Sequence, residues 1–136
     1  LSARLLERDL EMDTLNARMS EGLYRTSKER REDPTLEFLY RSAGPVWYRG
    51  MVCTDEKYDP LTPEQTDALL RRYDADRLLV GHTIFPDIST FHDGRVIAVN
   101  VQNDLNRRKN RGRAVLIEGS RISVVGNRGV KRVLEE

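Results

Sequence analysis

The sequence predicts an α/β chain, or α+β if it is taken as a fragment, with helices followed by a mixed sheet with hairpins. Three observations lead there. Helical periodicity and helix-start signals fill the first half. One helix runs straight into a short apolar strand, "DRLLVGH". After that strand the pattern changes to short β-rich runs separated by Gly-containing turns.

The elements follow in order. Met12, Leu15, Met19 and Leu23 fall at helical spacing, with Leu5 and Leu6 before them, and predict a first amphipathic helix over residues 2–21. "RTSKERRED" is too polar to bury and reads as a loop or a solvated helix end. Asp33 is a good N-cap, Pro34 suits the first helical position, and Leu36, Leu39 and Tyr40 supply an apolar face; Gly44-Pro45 ends that helix. In "LTPEQTDALLRRY", Thr62 caps, Pro63 opens the first turn and Gln65 completes a capping-box spacing. "DRLLVGH" then reads as a buried strand. "ISTFH" and "RVIAVNV" flank Asp93-Gly94, a strong hairpin signal, and "RAVLIEG" and "RISVVGN" flank Gly119-Ser120 as a second hairpin. Between the hairpins, "QNDLNRRKNRGR" reads as a polar, basic loop.

Composition narrows the function classes. The chain has 136 residues, enough for one domain with a real core, and 33% of them are charged with a net charge of +1. Acidic and basic residues are interleaved, as on a solvated globular surface, so the balance of charge points to no particular partner. No apolar run approaches the roughly 18 residues of a membrane span. The lone cysteine, Cys53, excludes an intrachain disulfide and a multi-cysteine metal site, and fits a reducing, cytoplasmic compartment. Because the first residue is Leu1 and not Met, the chain is expected to begin after processing or to be a piece of something longer.

Two short stretches carry candidate chemistry. In "VGHTIFPDIS", His82 follows an apolar strand and a glycine, which places it at a strand's carboxyl end, where open α/β sheets place ligands. Neutral imidazole ligates transition metals; a histidine capping a strand end and bonding to backbone is the competing reading. In "GPVWYRG", Arg49 lies beside Trp47 and Tyr48, a setting that can hold a guanidinium fork ready for phosphate or carboxylate; a surface stack on Trp47 competes.

"GPVWYRG", a helix, "LLVGHT" and "DGRVIAVNV", in that order, resemble the carboxyl-terminal half of calcineurin-like metallophosphoesterases, in particular their bacterial and Shewanella-like phosphatase branch. The resemblance covers residues 44–101 well and the flanks loosely. It implies half of an αββα sandwich, with residues 1–136 forming the carboxyl-terminal portion of a single domain whose amino-terminal half is absent. It also implies two divalent metal ions (Mn, Fe or Zn) that activate a water, with His82 as a metal ligand and Arg49 as the catalytic, substrate-binding contact to phosphate. The implied partners are a phosphorylated protein or a small phosphoester, and the missing half of the domain, with no membrane and no nucleic acid.

The sequence departs from that family where its early metal motifs should stand: Asp-x-His, Gly-Asp-x-x-Asp-Arg and Gly-Asn-His-Asp/Glu are absent, and so is a later His-Gly/Ala-Gly histidine. "GNRG" at 126–129 is a false echo, since Arg128 cannot ligate a metal, and His92 falls on a hairpin turn. Asn100, where many relatives have aspartate, takes no role. Phosphoester turnover by this piece alone is therefore not expected. Two non-catalytic readings compete. The basic stretch 106–113 can hold the phosphates of nucleic acid or an acidic protein. Met12, Leu15, Met19 and Leu23 can form a partner surface instead of core.

Overall fold

A computed structural model describes residues 2–135. It is a mixed α/β structure made of two compact units, Leu1–Asp76 and Arg77–Glu136. Helices make up the first and strands most of the second, as the order of sequence patterns predicts.

In the first unit, a 3₁₀ segment Ala3–Arg8 precedes α1 (Met12–Leu23), α2 (Ser27–Glu32), α3 (Pro34–Tyr40), a short 3₁₀ turn Glu56–Tyr58 and α4 (Pro63–Arg72). The single helix expected over 2–21 is thus two pieces. Asp9 adopts a left-handed backbone, φ 47°, which interrupts helical hydrogen bonding. Tertiary contacts hold that break: Arg72 of α4 reaches Asp9 and Glu11, both at 2.9 Å, and the Tyr73 hydroxyl donates to the Leu10 carbonyl at 3.1 Å. Of the apolar stripe on α1 only Leu15 is buried; Leu23 is 70% exposed.

The polar stretch after α1 is a helix and not a loop. Its apolar content is nil, but Thr26 and Glu29 close a capping box: the Thr26 amide donates to Glu29 Oε2 at 2.7 Å and the Glu29 amide to Thr26 Oγ1 at 3.3 Å. The helix starts at Asp33 and Thr62 stand where the sequence puts them. Asp33 Oδ1 accepts from the amides of Thr35 and Leu36, and Thr62 and Gln65 bond reciprocally. α3 packs on α1 and α2, and α4 on the Ala3–Arg8 segment. Leu5, Leu36, Leu39 and Leu69 are almost wholly removed from water.

In the second unit, β1 (Leu78–Val80), β2 (Ser89–Phe91) and β3 (Val96–Ala98) form a sheet of order β1-β3-β2. β1 is parallel to β3 and β2 antiparallel to it, so the sheet is mixed as expected. The hairpin turn is of type I′ character: Asp93 and Gly94 have φ 53° and 84°, and the Arg95 amide returns to the His92 carbonyl at 3.1 Å. β1 is an edge strand, which explains why Leu79 is 48% exposed where the apolar run predicts a buried strand.

α5 (Asn103–Arg108) lies inside the stretch read as a loop. β4 (Ala114–Glu118), β5 (Arg121–Gly126) and β6 (Gly129–Glu135) complete a second, antiparallel sheet. The first two are the expected hairpin. β6 carries no clear alternation, since "GVKRVLE" is mostly polar, and it pairs through two register shifts. Ile97 of β3, Ile122 and Val124 of β5, and Ile88 and Val101 just outside the strands make one apolar core. Beside it, Arg113 donates its Nε to both Asp87 carboxylate oxygens at 3.0 Å.

Candidate phosphate-binding loop

Arg49 sits in the loop that leaves α3, and the loop is fixed along its length. The Gly44 amide donates to the Arg41 carbonyl at 2.8 Å, and the amides of Trp47 and Tyr48 return to the Gly44 carbonyl at 3.2 and 3.0 Å. Beyond Arg49, the amides of Val52 and Cys53 both donate to the Arg49 carbonyl at 3.0 Å. The Leu61 amide closes on the Gly50 carbonyl at 3.0 Å, and the Tyr48 hydroxyl donates to the Asp59 carbonyl at 2.5 Å. Two glycines bracket the segment. A Cβ at Gly44 would run into the carbonyls of Phe38 and Leu39, and one at Gly50 into the Tyr48 hydroxyl and the Asp59 carbonyl. The glycines in "GPVWYRG" are there because backbone approaches backbone.

The Arg49 side chain is half-buried, and its guanidinium makes no hydrogen bond or ion pair among the described residues. It does not stack on Trp47 either; the cations found over rings are Arg8 on Phe38, Arg30 on Tyr40, Lys57 on Tyr58 and Arg72 on Tyr73. Most guanidiniums on this unit are engaged, Arg18 with Glu21 and Asp33, and Arg41 with Glu37. A partly desolvated fork left without a partner, on a loop that cannot easily move, is preorganised to accept an oxyanion. Its neighbour Tyr48 cannot act as a base near neutrality: burial first, and then the Asp59 carboxylate, push its phenol up to about 12.

His82 is in the second unit, at the carboxyl end of β1 as expected, and exposed. Its backbone is left-handed, φ 67°, and the Thr83 amide donates to the Gly81 carbonyl at 2.8 Å. The sequence offers no sign of that strain, because Gly81, and not His82, is the residue that tolerates it.

The donor set does not fit the dinuclear metal centre. Among the described residues no group of three His, Cys, Asp or Glu could hold a metal ion. The strand register shows why the two histidines cannot cooperate. Val80 pairs with Ala98 and Phe91 with Val96, so His82 lies beyond one end of β3 and His92 beyond the other. Asp87, the nearest acidic residue in sequence to His82, is occupied by Arg113, whose hydrogen bond helps hold its carboxyl below the usual range despite the opposing effect of burial. Cys53 is a free, partly buried thiol.

No family model matches the sequence, and neither does any curated protein. Solved structures do. The chain is similar to a cold-active protein-tyrosine phosphatase of a psychrophilic Shewanella species, with 25% identity and a TM-score of 0.83, over 98% of this chain and 38% of that one. A substitution mutant of a cold-active protein tyrosine phosphatase matches equally well, and another structure of such an enzyme gives 0.82 over 98% of this chain and 37% of that one. The chain thus spans less than two fifths of the length of the structures it matches.

These findings correct the family implied by the motif set. The matching structures are described as protein tyrosine phosphatases and not as calcineurin-like metallophosphoesterases. The two divalent ions, manganese among them, and the metal-activated water fall with that family, and no group of three ligands among the described residues could hold a metal ion.

Proposed function

We infer that the chain is a portion of a phosphatase that hydrolyses phosphate monoesters, with phosphotyrosyl protein the first substrate class to examine. The likeness over 98% of the chain to solved tyrosine phosphatases carries the reading. Arg49 gives it chemistry. Phosphoryl transfer is largely positioning and charge neutralisation, and an unpaired guanidinium on a stapled loop suits both tasks. In this reading Arg49 contacts two non-bridging oxygens of the substrate phosphate in fork geometry and stabilises the charge that builds on them. The single free cysteine accords with a cytoplasmic setting, and among the described residues no helix is long and apolar enough to cross a membrane.

The test uses the full-length protein with a phosphotyrosyl peptide and an aryl phosphate as substrates. Turnover of either is expected. Arg49→Ala should lower kcat/KM by about 10- to 100-fold, the worth of one charge-assisted hydrogen-bonded contact. Arg49→Lys should recover only part of that loss, because an ammonium cannot reproduce the fork. Absence of turnover with both substrates would refute the phosphatase reading. Unaltered kcat/KM in both variants would refute the role of Arg49.

A further inference from the structure

The second unit carries a basic hollow that the phosphatase reading does not use. Lys109, Arg111, Arg128 and Lys131 line a cavity of about 230 Å³ between the segment that follows α5 and the β5–β6 turn, and no carboxylate among the described residues lines it. Arg113 borders it too but is committed to Asp87. The other four cations form no ion pair among the described residues. Like charges gathered in one hollow repel, so the arrangement is unfavourable when empty and relieved by a multivalent anion.

The hollow is also built. Asn127 ties its two walls: its Oδ1 accepts from the Gly112 amide at 2.8 Å, and its Nδ2 donates to Asn110 Oδ1. Gly112 is required for that closeness, since a Cβ there would run into Asn127 Oδ1. A second observation points to a ligand. An adjoining cavity of about 570 Å³ shares Asn110 and Asn127 and is bordered by Asn106. Asn106 is only 3% exposed, yet its Nδ2 has no hydrogen-bond partner. A buried donor without an acceptor is costly, and an acceptor that enters the adjoining cavity would relieve it. Asp104 is the one carboxylate on that second border. No aromatic ring lines either cavity, so there is no platform for stacked bases.

We propose that this hollow binds a compact, multiply charged phosphate anion of the diphosphate type, neutralised by Lys109, Arg111, Arg128 and Lys131, with Asn127 on the border it shares with the adjoining cavity. The site is independent of Arg49 and stands or falls apart from the phosphatase reading.

The experiment is titration of the whole chain with sodium pyrophosphate, read by calorimetry and by ¹H–¹⁵N spectra, against sodium chloride at matched ionic strength. Saturable binding is expected, with the side-chain amide of Asn127 among the resonances that move. The doubly substituted Arg128→Gln, Lys131→Gln chain, altered only at exposed positions, should fold normally and bind about tenfold or more weakly. Spectral changes reproduced by chloride alone, or unchanged affinity in the double variant, would overturn the proposal. So would tighter binding of a single-stranded oligonucleotide than of pyrophosphate, which would mark the surface as one for nucleic acid.

Discussion

Arg49 and His82 show how differently two residues of similar promise can be placed. Arg49 is held by its neighbours: the carbonyls that Gly44 approaches leave no room for a side chain. Gly44→Ala is therefore expected to cost about 1–3 kcal/mol by overpacking, measured by denaturant unfolding, and to displace the loop that presents the guanidinium. A stability equal to that of the parent chain would mean that the loop adapts and that the close approach is not a constraint. His82 is held against its own preference. Its left-handed backbone costs a residue with a Cβ about 1–2 kcal/mol, and glycine would give back about 0.5–1 kcal/mol of that through the entropy of the unfolded chain. His82→Gly is thus expected to leave the unfolding midpoint unchanged or slightly raised. A clear fall would show that the contacts of the imidazole hold the β1 end together. The φ of 67° shows a residue kept at some conformational cost.

Among the elements, α2 and α5 mark the limit of reading helices from apolar periodicity. α2 has no buried residue, and only its capping box distinguishes it from a loop. Thr26→Ala removes the two bonds of the hydroxyl, the one it accepts from the Glu29 amide and the one it donates to Glu29 Oε2, and is expected to cost about 0.5–2 kcal/mol locally. Because α2 buries nothing, the loss should appear as faster amide exchange over Ser27–Glu32, with little change in the global midpoint; unchanged exchange there would show that packing on α3 suffices to hold the helix. α5 was hidden by its basic composition, although "ND" before "LNRR" is compatible with a helix start. β1 illustrates the converse: an apolar run predicts strand correctly, but not whether the strand is an edge. That depends on β3 pairing with it on one side only.

At the scale of the whole molecule, the acid response is expected to centre on Asp87. Burial would raise its carboxyl, but the hydrogen bond from Arg113, the Ile88 amide and the charges of Arg113 and Arg132 outweigh that and lower it. A lowered folded-state pKa means that the stabilisation is fully present above the ordinary carboxylate value of about 3.9 and is lost as the pH falls through the folded-state value. Asp87→Asn is expected to cost about 1–2 kcal/mol at neutral pH, since it leaves the nearly buried Arg113 without its counter-charge. The gap between parent and variant should close on acidification below about pH 3.9. A gap that stays constant down to strong acid would remove Asp87 from the account. Thermal unfolding across that pH range decides it.

The sequence by itself determined the α/β class, the helix starts at Asp33 and Thr62, both hairpins, and the position of His82 at a strand end. These rest on local causes: caps, turn chemistry and period, each complete within a few residues. Tertiary structure decided the rest. The break at Asp9 needs Arg72 and Tyr73, which lie 61 to 63 residues from the groups they bond. The separation of His82 from His92 needs the parallel register of β1 on β3. The pooling of Lys109, Arg111, Arg128 and Lys131 needs a β5–β6 turn folded back on the end of α5. Motif spacing records which groups are present. Which of them converge is set by long-range packing, and that is why a familiar order of motifs suggested a metal centre that these residues do not assemble.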